Sequence, residues 1–171
     1  LKKYDNENTF ELMVPELKSY DGVKISSSRI RKLLNQGDIF GARECLGRDY
    51  MLSGTVVSGE KLGRKLGYPT ANIKLEYNYP LDGVYLTRTV IEEKNYVGLA
   101  SLGNKPTFNG SEKILEVFIL DFDEDIYSQN IEVYFLEEIR KQIKFSNEDE
   151  LIKQMNEDHK YAIINSKKYG I

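Results

Sequence analysis

Residues 59–72 read Gly-Glu-Lys-Leu-Gly-Arg-Lys-Leu-Gly-Tyr-Pro-Thr-Ala-Asn, with glycine at every fourth position: Gly59, Gly63 and Gly67. Lys61, Arg64 and Lys65 stand between the glycines, and Pro-Thr-Ala-Asn closes the run. Glycine lets backbone N–H groups approach an anion closely and adopts the positive φ that concave anion nests need. The three cations supply countercharge. Thr70 and Asn72, two residues apart, project to one side of an extended chain and offer hard oxygen donors of the kind Mg²⁺ takes beside phosphate oxygens. The stretch therefore reads as a nucleotide-phosphate and metal site. A soluble glycine/lysine connection between strands has the same composition, and neither the P-loop pattern nor a Gly-x-Gly-x-x-Gly fingerprint is present.

The surrounding chain is β-rich. Residues 52–58, 70–74, 83–91, 96–102, 114–122 and 131–136 are strand-like, with β-branched and aromatic residues in close succession. Residues 92–95 predict one hairpin turn, and the acidic residues 123–125 predict another between the last two strands. Six strands without alternating helices predict an antiparallel barrel, in which closure removes the edges. Upstream, residues 25–47 predict an αα-hairpin with a serine cap, a stop at Gly37, a second cap at Asp38 and an end at Gly47. Residues 146–164 predict one long helix, capped by Ser146 or Asn147, with an apolar stripe of Leu151, Ile152, Met155, Ala162 and Ile163. Residues 9–14 could form a short strand, a polar turn is expected at Asp21-Gly22, and residues 166–171 are expected to fray.

Composition narrows the function. The 171 residues suit one domain with a real core, and a net charge of −3 gives no electrostatic case for nucleic acid or an anionic membrane. No apolar run approaches a membrane span. The lone Cys45 excludes an internal disulfide and suits a reducing cytoplasm, while one cysteine and one histidine argue against zinc. His159 is expected at the surface or an edge. The chain begins at Leu1 rather than Met, which suggests a piece of a longer protein.

The pattern G-x-x-x-G-x-x-x-G-[FY]-P-T-A-N after a strand closely resembles the signature of riboflavin kinases, in particular the kinase module of the bacterial bifunctional riboflavin kinase/FMN adenylyltransferase. The resemblance runs from about residue 25 to the C-terminus. It implies a six-stranded Greek-key barrel over residues 50–140, an activity that phosphorylates riboflavin with ATP to give FMN and ADP, and a requirement for Mg²⁺ or another divalent ion. Nucleotide binding falls to Gly59, Lys61, Gly63, Lys65, Gly67, Thr70 and Asn72, with Thr70 and Asn72 also serving the metal. Glu116, in Ile-Leu-Glu-Val-Phe-Ile-Leu-Asp-Phe, matches the family's general base; without the resemblance it would read as a solvated position on the outer face of a barrel. Residues 101–108 match a strand-end loop near the active site, a candidate lid. Residues 139–145 match the segment before the last helix, where Arg140 attends the flavin or its phosphate. The isoalloxazine needs an apolar slot, placed between the barrel mouth, residues 140–145 including Phe145, and the helix face bearing Leu151 and Met155.

Residues 25–31, Ile-Ser-Ser-Ser-Arg-Ile-Arg, resemble the late phosphate-binding motif of the FMN adenylyltransferase domain. The histidine-containing nucleotidyltransferase motif that belongs far upstream is absent. Residues 1–24 therefore read as a remnant of an adenylyltransferase domain, 25–47 as a helical linker and 48–171 as the kinase domain. That missing domain is the expected partner. Two other readings stay open: a piece active as an adenylyltransferase, and a β-barrel that binds flavin or nucleotide without turnover.

Overall fold

The computed structural model describes residues 16–59, 62–77, 79–107 and 110–171. The strand expected at 9–14 lies outside them. Two short strands, β1 (Ser19–Tyr20) and β2 (Val23–Lys24), pair across the predicted Asp21-Gly22 turn. Helices α1 (Ser27–Asn35) and α2 (Ile39–Leu46) follow, and the side chains of Ser26 and Asp38 accept from the N–H groups of Arg29 and Gly41. Each such cap is worth about 1 kcal/mol. Arg29, one of the two arginines in the phosphate-like motif, donates to the carbonyls of Tyr20 and Val23 and so pins the β1–β2 turn to α1.

The barrel strands are β3 (Tyr50–Val57), β4 (Thr70–Ile73), β5 (Gly83–Ile91), β6 (Lys94–Thr107), β7 (Gly110–Ile119) and β8 (Asn130–Arg140), with the short helix α3 (Leu62–Lys65) between β3 and β4. All six predicted strands are present and the sheet closes in the order β3-β4-β7-β6-β5-β8. Strands β5, β6 and β7 form consecutive hairpins, and β8 returns to lie beside β5, the Greek-key order. The β5–β6 turn places Glu92 and Glu93 at φ 47° and 67°.

Two expectations fail here. The hairpin predicted across residues 123–125 does not form, because β7 is hydrogen-bonded to β6 and β4 while β8 is bonded to β3 and β5. Residues 101–107, expected as a strand-end loop, extend β6 instead, in register from Ser101 opposite Glu116 to Thr107 opposite Gly110. Both edges of β7 are taken, one by β6 and the other by β4, which leaves no edge for β8. Phe108 lies outside the described residues.

Alternation along each strand sorts two apolar layers. Leu115, Val117, Ile131, Val133, Phe135, Tyr85 and Leu102 fill the barrel, with Leu34, Ile39 and Ala42 of the α1–α2 hairpin in the same cluster. Leu86, Leu99, Leu136 and Phe118 face outward and pack beneath α4 (Glu148–Asn165) through Ala162. Asn147 caps α4 by accepting from the N–H of Glu150. The apolar stripe of α4 is narrower than expected: Ile163 is 47 % exposed, while Asp158 is buried. The tail does not fray. Residues 166–169 form a 3₁₀ turn and Tyr169 donates to Glu137 at 2.8 Å, burial and that bond pushing its hydroxyl pKa up to about 12.

Candidate active site

Strand β4 is four residues long, and Thr70 and Asn72 on its outer face line two cavities, one on each side. The larger, about 330 Å³, lies at the barrel end. Its walls are Val56, Ala71, Val117 and Ile119 from the barrel interior, Gly59 and Arg64 from the glycine-rich stretch, and residues 122–127. The smaller, about 270 Å³, lies between the outer wall of the barrel and α4; Gly63, Tyr68, Leu99, Ser101, Glu116, Phe118, Arg140, Gln142, Phe145, Leu151, Met155 and Asp158 line it.

Every residue expected near the base and flavin therefore borders one cavity: Glu116 with Arg140, Phe145, Leu151 and Met155. Its location differs from the expectation. The cavity is over the outer wall, not at the barrel mouth. Glu116 alternates with the interior residues Leu115 and Val117, so it does point outward, but α4 covers that face and leaves Glu116 half-buried. Registers align the polar residues in a row: Asn72 pairs with Glu116, Glu116 with Ser101, Ser101 with Val84, and Val84 with Arg140.

The glycine-rich stretch packs tightly against β4. A Cβ on Gly59 would stand 2.3 Å from the amide nitrogen of Asn72, and one on Gly63 would stand 2.3 Å from the carbonyl oxygen of Tyr68 and 3.5 Å from Thr70 Oγ1. Gly67 turns the chain at φ +84°, a conformation costly for other residues. These contacts give glycine a packing reason of its own, independent of any phosphate. Arg64 borders the larger cavity, while exposed Lys65 and Gly67 border neither, and Lys61 lies outside the described residues.

Tyr68 joins the stretch to α4. Its hydroxyl donates to Asn156 Oδ1 at 2.7 Å, and its ring meets Phe118 edge-on at 5.1 Å and His159 at 6.0 Å. Burial, with the Asp158 carboxylate second, raises the hydroxyl pKa and keeps it a donor. His159, expected at the surface or an edge, is half-buried and meets the rings of Tyr68 and Phe118 edge-on.

Arg140 is held by a group the sequence reading missed. Its Nε reaches both oxygens of Asp158 at 3.0 Å and its Nη2 reaches Oδ2 at 2.7 Å, while Gln154 donates to Oδ1 at 3.0 Å. The guanidinium carbon lies 5.9 Å from the centre of the Phe145 ring. A signal existed: Leu151, Met155, Asp158 and Ala162 recur at helical spacing, so an acid in that apolar stripe demanded a buried cation.

Among the described residues no three His, Cys, Asp or Glu side chains cluster to bind a metal. Any cation here would rely on hydroxyl and amide oxygens plus those of a bound phosphate. Thr70 and Asn72 fit that description for Mg²⁺, which keeps several waters and shares substrate phosphates. The cradle that Gly59 and Gly63 leave beside them, closed by any Cβ, gives the room.

Residues 46–164 match the family described as Flavokinase, riboflavin kinase. The chain belongs to the riboflavin kinase family. It is 39 % identical over 163 residues to the bifunctional riboflavin kinase/FMN adenylyltransferase of Buchnera aphidicola subsp. Schizaphis graminum, covering 92 % of this chain and 52 % of that protein. The chain thus spans about half the length of the curated relatives it matches. A crystal structure of riboflavin kinase from Trypanosoma brucei superposes with a TM-score of 0.52 at 26 % identity, over 69 % of this chain and 80 % of that one. Another, described as a macrolide-efflux protein from Streptococcus pneumoniae, gives 0.82 at 38 % identity over 92 % of this chain and 53 % of that one. No helix among the described residues is long and apolar enough to cross a membrane.

Proposed function

We propose that this chain transfers the γ-phosphoryl group of ATP to the 5′-hydroxyl of riboflavin, giving FMN and ADP, and that it forms the kinase half of a longer protein that also adenylylates FMN. The observation that carries the reading is the placing of Thr70 and Asn72 between two cavities, with Glu116 paired to Asn72. ATP occupies the larger cavity, its phosphates over the glycine-rich stretch with Arg64 as countercharge. Riboflavin occupies the smaller, its ring against Phe145, Leu151 and Met155. Glu116 takes the proton of the 5′-hydroxyl as its oxygen bonds to the γ-phosphorus and the bond to the bridging β–γ oxygen breaks. Thr70 and Asn72 would hold Mg²⁺ through their side-chain oxygens and orient the phosphates. When bound, Mg²⁺ neutralises charge on the β- and γ-phosphate oxygens. Residues 1–24 belong to the adenylyltransferase side, 25–47 link the two, and 48–171 are the kinase.

Incubating the chain with riboflavin, ATP and Mg²⁺, then separating the flavins by chromatography, should yield FMN and no FAD. FAD would show an adenylyltransferase; bound riboflavin without either product would show a non-catalytic binding barrel. Thr70→Ala should weaken Mg·ADP binding about 10- to 100-fold, the worth of a bond to a charged group, with an almost unchanged melting temperature. Wild-type affinity by calorimetry in that variant would remove Thr70 from the metal and phosphate site.

A further inference from the structure

Gln142 is fixed at its nitrogen end. Nε2 lies 3.2 Å from the carbonyl oxygen of Gly83, 3.3 Å from that of Leu102 and 3.0 Å from Ser101 Oγ. Turning the amide over would set Oε1 against two carbonyl oxygens, so one orientation is strongly favoured. Oε1 then faces away from β5 and β6 and accepts from no described residue. Ser101 Oγ already accepts from Gln142, which leaves its own O–H to donate, and among the described residues it has no recorded acceptor. Both side chains border the smaller cavity, and Ser101 pairs with Glu116, one strand spacing away. That spacing is about 4.8 Å.

We infer that Ser101 and Gln142 form a donor–acceptor pair that reads the hydroxyls of the substrate's polyol chain. This rests on the kinase reading above. A hydroxyl both donates and accepts, so a neighbouring pair of hydroxyls matches a fixed serine O–H beside a fixed amide oxygen. The flavin ring carries a single N–H donor between two carbonyl acceptors, and in this reading the apolar walls on the α4 side place it. With the terminal hydroxyl at Glu116, the hydroxyls one or two carbons back fall beside the next strand, where Ser101 stands. Polyol recognition would thus be separate from ring recognition, and it would set which flavins are phosphorylated.

The test compares riboflavin with lumiflavin, which has the same ring and a methyl group in place of the ribityl chain. Binding of each to the 171-residue chain is followed by flavin fluorescence. Ser101→Ala should raise the Kd for riboflavin about three- to tenfold, the usual worth of one hydrogen bond, and leave that for lumiflavin unchanged. Ser101→Thr, which keeps the hydroxyl, should restore riboflavin binding. The KM for ATP and the melting temperature should not move in Ser101→Ala. Gln142→Leu should narrow the gap between the two flavins in the same way; if that variant fails to fold, the Ser101 series decides alone. Equal weakening of both flavins, or an unchanged riboflavin Kd, would overturn the inference. A wild-type chain that binds neither flavin would overturn the kinase reading instead.

Discussion

Glu116→Gln should lower the turnover number by about 10²- to 10⁴-fold, the range typical of a lost general base. The amide keeps the shape of the side chain and some hydrogen bonding but cannot take up the proton of an alcohol. The affinities for ATP and riboflavin should change little, since the contacts proposed for them lie mostly along the glycine-rich stretch and the α4 side. A fall in kcat at nearly constant binding identifies an interaction made chiefly in the transition state. The barrel should stay intact, because Glu116 is half-buried on the outer wall and the core residues beside it, Leu115 and Val117, are untouched. Steady-state kinetics on FMN formation, with calorimetry for each ligand, checks both halves. A rate within about threefold of wild type, well under the least loss expected, would remove Glu116 from the mechanism, and Asp121 and Asp125 would be the next carboxylates to test.

Asp158→Ala should destabilise the fold by about 3–5 kcal/mol, the cost of stranding one charge of a buried pair. The side chains of Arg140 and Asp158 are only 17 % and 6 % exposed, and two guanidinium nitrogens bind the carboxylate. In the variant the cation keeps its desolvation and loses its partner. At about 2–4 °C per kcal/mol for a chain of this size, the melting temperature should fall by about 6–20 °C. Replacing both residues by leucine should recover much of the loss, since a well-packed apolar pair often matches a buried ion pair. Thermal unfolding of the three variants measures this directly, and a single-variant loss under about 1 kcal/mol would class the pair with surface ion pairs. Riboflavin phosphorylation should suffer too, because Arg140, Phe145 and α4 form one wall of the smaller cavity.

The elements were legible where the signal is local. Runs of β-branched residues marked all six barrel strands, and a serine after Ile25, Asp38, and Ser146 or Asn147 marked helix starts because a short polar side chain satisfies N–H groups there; the structure selects Ser26 and Asn147. Pairing was less legible. An acidic turn at 123–125 looks like a hairpin from nearby residues, but the partner of β7 is chosen by ladders to β4 and β6. The candidate site residues were picked out mainly through the pattern ending in Pro-Thr-Ala-Asn and the strand around Glu116. Their location was not, because nothing in β7 itself announces that a helix some 30 residues on will roof its outer face. Ser101 and Gln142 lay within stretches singled out in the sequence, yet their mutual contact depends on β6 running on past residue 101. Tyr68 and Asn156 are 88 positions apart, beyond any local pattern.

The row Asn72–Glu116–Ser101–Val84–Arg140 takes one residue from each of five strands. Strand parity is therefore part of the chemistry. Adding or deleting a single residue within β4, β6 or β7 would turn that strand's contribution inside out, sending an acid, amide or hydroxyl into the barrel and an apolar side chain into the smaller cavity. Between β4 and β5 the described residues 75–77 and 79–82 carry no rung, and changes of length there leave the parity of every rung as it is. Tolerance to insertion should thus follow the hydrogen-bond ladder rather than distance from Glu116, and the barrel serves as a ruler that sets which side of the wall each reactive group occupies.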